Sequence, residues 1–150
     1  MNLDNLKPGP ELDKLVAEKV MGYIVGKYPF KREAFAVASS QRAIRKAHAN
    51  GIDFWEWDDE GNAEFCCELP CYSTKIVDAW QVVKKIMDKG FEFHLSSPGR
   101  ESKVWNAHFV KKVKILPDVP VETRHYYAYC DPPELAICIA ALKATGNETR

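Results

Sequence analysis

The sequence predicts a single α+β domain in which a largely antiparallel sheet of about five strands packs against three or more helices. Its 150 residues are 46% hydrophobic and 11% aromatic, which is enough for one core. Apolar residues recur at helical spacing in four stretches and alternate in the strands between them. Because short turns join most of these strands, antiparallel pairing is expected, in the order α-α-β-β-α-β-β-β-α.

The first third of the chain contains two predicted helices. Leu12, Leu15 and Val16 recur at helical spacing, so an amphipathic helix is predicted from Glu11 to about Ile24. A second helix is predicted from about Arg32 to Ala49. Its apolar side chains are mostly small, which suits a contact with another element or with a second copy of the chain better than a place in the core.

A hairpin and a third helix follow. The segments "IDFWEW" (52–57) and "AEFCCEL" (63–69) flank "DDEGN", in which glycine or asparagine can adopt the positive φ of a tight turn. The third helix is predicted from about Ser73 to Lys89, with a broad apolar face and with Gly90 at its end.

Three alternating segments and a last helix complete the domain. The predicted strands are "FEFHLSS" (91–97), "KVWNAHFVKKVKIL" (103–116) and "RHYYAYC" (124–130). In the third of these, Tyr126 points to one face and Tyr127 and Tyr129 to the other, so all three are buried only if helices cover both faces. The last helix is predicted in "DPPELAICIAALKATG" (131–146), with Asp131 as its cap and both prolines in the first turn.

The charge balance gives no reason to expect a nucleic-acid or membrane partner. Lys plus Arg and Asp plus Glu both number 21, so the formal net charge is zero and no global field attracts either partner. The basic stretch 31–50 and the acidic stretch 53–70 are interpreted as solvated faces.

The hydrophobic segments of the sequence predict the cellular compartment, which in turn predicts the oxidation state of the cysteines. No apolar run reaches the roughly 18–20 residues of a membrane span, and the first residues have no secretion signal, so a cytosolic location is expected. In that reducing compartment the cysteines are expected to be thiols. They are Cys66, Cys67, Cys71, Cys130 and Cys138.

Three segments together resemble the phage ABA-sandwich domain, a family of small proteins from tailed bacteriophages and prophages. They are "LDKLVAEKVMGY" (12–23), "LPCYSTKIVDAWQVVKKI" (69–86) and "PPELAICIAALKA" (132–144), in the family's order. The resemblance implies one α-β-α sandwich over residues 1–150, with an antiparallel sheet covered by helices on both faces, and a place in the host cytoplasm. The resemblance implies no particular enzymatic or binding activity. Two features differ: Lys75 stands where the family usually has an acid, and residues 27–50 look like a helical insertion.

The join before the third helix is one candidate anion site. Ser73 or Thr74 is enough to cap the helix, so one hydroxyl has no obvious structural task. With Tyr72 beside them, Lys75 in the first turn and free N–H groups at the helix start, the join suits a phosphate or carboxylate. The alternative is double capping with a packed tyrosine.

The loop "HLSSPGRES" (94–102) is a second candidate. Ser96, Ser97, Gly99 and Arg100 lie between two strands and can present backbone N–H groups and a guanidinium to a phosphate. The alternative is a plain turn of the same composition. No P-loop or dinucleotide fingerprint is present, and no cofactor is expected.

A third candidate is a polar set on the strands. Glu92, His94 and His108 alternate with the large apolar residues of two successive strands, and His125 lies on a third. If they converge, they suit zinc or a general base; otherwise they form an ordinary solvated face. Six aromatic residues are candidates for stacking on a base or a nicotinamide, Tyr127 being the one assigned to a ligand site, and the alternative is that most of them fill the core. They are Trp55, Trp57, Trp105, Tyr126, Tyr127 and Tyr129.

These observations favour a binding protein over an enzyme, since no familiar hydrolase or transferase motif is present. The preferred hypothesis is a small phage accessory protein that sequesters a nucleotide-derived host immune signal, in which a homodimer can complete the site. The first alternative is an inhibitor of a host protein that uses the 31–50 helix as its interface. The second alternative is a small metal- or histidine-dependent enzyme.

Overall fold

The structure is a computed structural model that describes residues 2–27, 35–38, 66–100, 103–114 and 116–148. Within these residues a short 3₁₀ helix precedes three α helices and six strands, all in chain order as follows. They are the 3₁₀ helix Leu3–Asn5, α1 Pro10–Lys19, β1 Ile24–Lys27, β2 Phe35–Ala38, β3 Cys66–Glu68, α2 Ile76–Met87, β4 Glu92–Ser96, β5 Trp105–Val113, β6 Glu122–Cys130 and α3 Pro133–Glu148.

The described strands form two antiparallel sheets of three strands each. In the first, β2 lies between β1 and β3, with Ile24 opposite Ala38 and Cys67 opposite Val37. In the second, β5 lies between β4 and β6, and every pairing is antiparallel. The predicted α+β class with antiparallel pairing is confirmed. The sheet of about five strands and the sandwich with helices on both faces stay predictions.

Helix α3 lies at the centre of the core. Every residue from Leu135 to Leu142 is buried, so this helix is apolar on all sides. It packs against β5 and β6 on one side and against α1 and α2 on others. Small side chains at Ala136, Ala140 and Ala144, all fully buried, allow these neighbours to approach closely.

The register of the second sheet separates an inner face from an outer face. Phe93 pairs with Phe109, which pairs with Tyr126, and this row belongs to the inner face. The rings of Phe93 and Phe109 lie 4.8 Å apart. The next row, Leu95, Ala107 and Ala128, contributes buried alanines that face α3.

Ser73 fastens the segment before α2 to the start of α1. The Ser73 amide donates to Asp13 Oδ1 at 2.7 Å, and the Gly9 amide donates to Ser73 Oγ at 2.9 Å. Gly9 has a φ of 145°, a backbone conformation that would be strained in a residue with a side chain. Tyr72, which precedes Ser73, is fully buried in the core. Helix α1 and the segment before α2 are therefore held together by buried polar bonds as well as by apolar packing.

Two predictions about the first half of the chain are wrong in part. Helix α1 ends at Lys19, because Gly22 adopts a φ of 72° and turns the chain so that Ile24 starts β1. Within the helix predicted from Arg32 to Ala49, Phe35–Ala38 is a strand that pairs on both sides. Long-range pairing outweighs local helical spacing there. The rest of that predicted helix and interface (31–34 and 39–50) and the predicted strand 52–57 lie outside the described residues.

The later elements match their predictions more closely. Helix α2 begins at Ile76 instead of Ser73, and its N-cap is Lys75, which makes no side-chain capping bond. Helix α3 begins at Pro133, so Pro132 precedes the helix and its carbonyl accepts from the amides of Leu135 and Ala136. The predicted strands of the second sheet are confirmed as β4, β5 and β6.

We predict that Asp13 makes the stability of the fold depend on pH. The pKa of Asp13 is raised above 3.8, mainly because the carboxyl group is buried, and the charge of the nearby Asp78 raises it further. The hydrogen bonds from Ser73 to Asp13 act in the opposite direction and lower this pKa. Because the folded state holds this proton more tightly than the unfolded chain, stability falls as the pH rises from about 3.8 through the raised pKa. Asp13→Asn keeps an acceptor and removes the ionisation, so urea unfolding at stepped pH should show a flatter profile.

Asp13→Ala is the matched comparison. It leaves the buried Ser73 amide without its acceptor and should cost about 1–3 kcal/mol at every pH. Ser73→Ala keeps the amide bond to Asp13 but removes the hydroxyl, which accepts from the Gly9 amide and also bonds to Asp13, so it should cost about 1 kcal/mol or more. An Asp13→Asn protein with the wild-type pH profile would contradict the assignment of this dependence to Asp13.

Candidate functional site

The outer face of the second sheet bears a set of aromatic rings that we call the ring face. It comprises His94 on β4, His108 on β5, and His125, Tyr127 and Tyr129 on β6. Strand alternation places them there, because each is offset by one residue from the buried inner row. The register sets His94 opposite His108 and His108 opposite Tyr127.

The rings of this face are nearly parallel. His108 and Tyr127 stack with centroids 3.9 Å apart and planes 15° apart. Tyr127 and Tyr129 lie 6.1 Å apart with planes 12° apart, and His94 is tilted by 34° at 5.7 Å from His108. Tyr129 is 63% exposed and Tyr127 37% exposed. Of the three tyrosines of β6, Tyr127 and Tyr129 therefore meet solvent, and the face presents a stacking surface.

Two histidines of the ring face share a hydrogen bond. His108 Nε2 and His125 Nδ1 are 2.9 Å apart, with donor and acceptor set by the tautomers, and the Tyr127 hydroxyl lies 3.4 Å from the same Nδ1. Partial burial is the main reason that the pKa of His108 is lowered below 6.5, and charge on His125 or His94 lowers it further. Near neutral pH His108 is therefore a neutral imidazole within hydrogen-bonding reach of a second one.

Lys143 connects the ring face to the buried helix α3. Its amino group donates to the Tyr127 carbonyl at 3.0 Å and pairs with Asp4 Oδ1 at 2.6 Å. This contact covers a main-chain acceptor of β6 and so limits pairing with another strand. A depression of about 650 Å³ lies beside it. Its lining residues are Asp4, His125, Tyr126, Tyr127, Tyr129 and Lys143.

The predicted loop site lies at the Tyr129 end of this face. Ser96 pairs with Asn106, and Asn106 pairs with Tyr129, so the chain leaves β4 in the same row as that ring. The residues that follow, including Ser97, Gly99 and Arg100, are exposed. Adjacent strands are about 4.8 Å apart, which places Ser96 about 10 Å across the sheet from Tyr129.

The other predicted anion site is largely occupied by the fold itself. Tyr72 and Ser73 are fully buried, and both the amide and the hydroxyl of Ser73 are bonded to α1 or its N-cap. The Asp78 carboxylate, in the first turn of α2, accepts from the Cys71 amide at 2.8 Å. The expectation that Ser73 or Thr74 caps α2 is wrong, because Lys75 is the N-cap and no side chain caps the helix there, while Ser73 joins the segment to α1. Thr74 and Lys75 are exposed.

The polar set predicted on the strands does converge. His94, His108 and His125 lie on one face, and Glu92 is 3.9 Å from His94, with both side chains well exposed. Within the described part of the chain, no group of three or more His, Cys, Asp and Glu residues is arranged to hold a metal ion. The arrangement instead offers hydrogen-bonding imidazoles beside a stacking surface.

The described cysteines are not placed as nucleophiles of this site. Cys71, Cys130 and Cys138 are free thiols, as predicted for these three. Burial is the main reason that the pKa of Cys130 is raised to about 11, so this thiol stays protonated near neutral pH. Burial likewise raises the pKa of Cys138.

Sequence reasoning missed Lys143 and Asp4 as neighbours of the candidate site. Both belong to elements on the other side of the sheet or to the N-terminal segment, so no local pattern connects them with Tyr127. Tyr129 was recognised as an aromatic on the same face as Tyr127, and its large exposure adds it to the site. The alternation of β6 is the signal that finds it.

Comparisons with known proteins place the chain near one family. The model of the phage ABA sandwich domain matches residues 14–142, from within α1 to within α3. No curated protein and no solved structure matches the chain. In the described residues, no helix is long and apolar enough to cross a membrane.

We predict that His108 makes the stability of the fold depend on pH in the opposite direction to Asp13. Its pKa is lowered in the folded state, so the unfolded chain takes up this proton first and stability falls as the pH drops below about 6.5. The midpoint of urea unfolding should therefore fall between pH 7.5 and pH 5.5. His108→Gln should remove much of this fall, because a glutamine does not ionise.

His94→Gln is the control, since His94 is well exposed and contributes least to the lowered pKa of His108. It should retain most of the fall. If His108→Gln shows the same fall as the wild type, another group causes it and the environment inferred for His108 is wrong.

Proposed function

Because the chain belongs to the phage ABA sandwich domain family, we propose that it is a small phage accessory protein that sequesters a phosphorylated, nucleotide-derived signal of host immunity. It acts in the host cytoplasm and binds its ligand without converting it. The observation that supports this proposal is the ring face, where parallel tyrosine rings lie beside imidazoles and a lysine.

Stacking is the interaction that suits this face best. A nucleobase that stacks on an exposed aromatic ring gains about 1–3 kcal/mol, and every base has a face that can do so. Tyr129 offers the most exposed ring, while Tyr127 is stacked on His108 and its main chain is held by Lys143. Because these rings sit on paired strands, little conformational entropy is lost when a base binds.

Phosphate groups have suitable partners at both ends of the tyrosine pair. Lys143 and the two hydrogen-bonded histidines lie at the Tyr127 side, and the loop with Ser97, Gly99 and Arg100 follows the row of Tyr129. A guanidinium and exposed backbone N–H groups favour phosphate oxygens. In this proposal Ser96 to Arg100 assist from the loop, whereas Tyr72 and Ser73 serve the fold.

A second candidate function is a small histidine-dependent enzyme. It is favoured by the connected set of His108, His125 and Tyr127, in which a neutral imidazole is available as a general base. Conversion of a bound ligand distinguishes this candidate from a binding protein, since a protein that only sequesters its ligand releases it unchanged.

We predict that a nucleotide panel will identify the ligand class through thermal stabilisation. The panel contains AMP, ADP-ribose, cyclic ADP-ribose and cyclic dinucleotides, each at a concentration well above the expected Kd. Saturation at about 100 times Kd adds about 2.7 kcal/mol to the free energy of unfolding. Tyr129→Ala should weaken binding by about tenfold or more, whereas Tyr129→Phe keeps the ring and should bind like the wild type.

Val119→Ala, an exposed apolar position between β5 and β6, is the surface control and should leave binding unchanged. Heat release followed by mass spectrometry then shows whether the recovered ligand is intact. Recovery of a converted ligand would replace sequestration by catalysis. The absence of stabilisation by every nucleotide, together with co-purification of a host protein, would refute the proposal in favour of a protein inhibitor.

A further inference from the structure

The number of protons on the hydrogen-bonded pair His108 and His125 decides which of their ring nitrogens donate and which accept. Their four ring nitrogens include two that face each other at 2.9 Å, His108 Nε2 and His125 Nδ1, and two that point away. In the neutral pair, one proton lies between the facing nitrogens and one sits on an outward nitrogen. The remaining outward nitrogen is an acceptor. One additional proton converts it to a donor, so that both outward nitrogens donate and the pair carries a positive charge.

Among the residues that the structure describes, few other charges on this face oppose the uptake of that proton. From β4 the pair is faced by His94 and Glu92, which interact with each other at 3.9 Å in an exposed position. From β5 Lys112 lies further along the same face, and on β6 the neighbours are the neutral rings Tyr127 and Tyr129. At the outer edge of β6, Lys143 of α3 is paired with Asp4.

We propose that the His108–His125 pair receives a phosphate group of the ligand and takes up one proton as it does so. This inference rests on the proposed function and assigns the two ends of the ligand: the base stacks on the tyrosines and the phosphate lies at the histidines. The geometry suits this division, since His108 stacks directly on Tyr127 at 3.9 Å and bonds to His125 on the adjacent strand.

The electrostatics of the pair explain why the proton arrives with the ligand. Without an anion, partial burial and the neighbouring imidazoles disfavour the cationic form of His108, as its lowered pKa shows. A phosphate within hydrogen-bonding distance favours the cation, because it accepts from the outward N–H group that protonation creates. Binding is therefore linked to protonation, and affinity rises as the pH falls, by up to about tenfold per pH unit for one proton.

The test follows the histidine ring resonances of the full-length protein by NMR, with inorganic pyrophosphate as the probe. Titrations between pH 5 and 8, with and without saturating pyrophosphate, give the pKa of His108 in each state. The proposal predicts that pyrophosphate raises this pKa by about one unit or more. His125→Asn removes the second imidazole and should abolish most of the rise, while His94→Gln should retain it.

Tyr129→Ala separates this inference from the proposed function. It removes the stacking ring but leaves the histidine pair, so the effect of pyrophosphate on His108 should persist. If nucleotides stabilise the wild-type protein while neither pyrophosphate nor a nucleotide changes the pKa of His108, the phosphate assignment is wrong and the proposed function stands. If pyrophosphate raises that pKa but no nucleotide binds, the proposed function fails alone. No response of His108 to pyrophosphate and no nucleotide binding would overturn both.

Discussion

The burial of residues Leu135 to Leu142 of helix α3 on every side is the constraint on which the rest of the described structure depends. A helix without a polar face must be surrounded, and α1, α2 and the second sheet together do this. Its small side chains, such as Ala136 and Ala140, let those elements approach closely. The inner face of the second sheet, with Phe109 at its centre, therefore packs in the core. Because side chains alternate along each strand, the residues of the outer face can form a binding surface.

That division of the sheet explains how a stacking surface can form in so small a domain. The rings of Tyr127 and Tyr129 are attached to a strand whose other face is anchored by buried alanines and Phe109, so their positions are set by the core. Lys143 strengthens the connection, because it extends from the central helix to the Tyr127 carbonyl. Function at the outer face and stability at the inner face thus depend on the same strands, although on alternate residues.

Much of this arrangement could be predicted from local patterns, and the remainder depends on contacts between distant residues. The alternation of β4 and β6 predicted which side chains share a face, since burial on one side imposes a period of two. The start of α2 was misplaced because Ser73 is bonded to Asp13, sixty residues away in the chain. The contact between His108 and His125 depends on register, which sequence alone does not specify.

The most direct test of the central claim is a crystal structure of the protein with the nucleotide that stabilises it most. The account predicts a base parallel to the ring of Tyr127 or Tyr129, with a phosphate within hydrogen-bonding distance of His108 or His125. A nucleotide seated instead in the groove between the N-terminal segment and α1, or against Thr74 and Lys75, would contradict it and show that the ring face is not the ligand site.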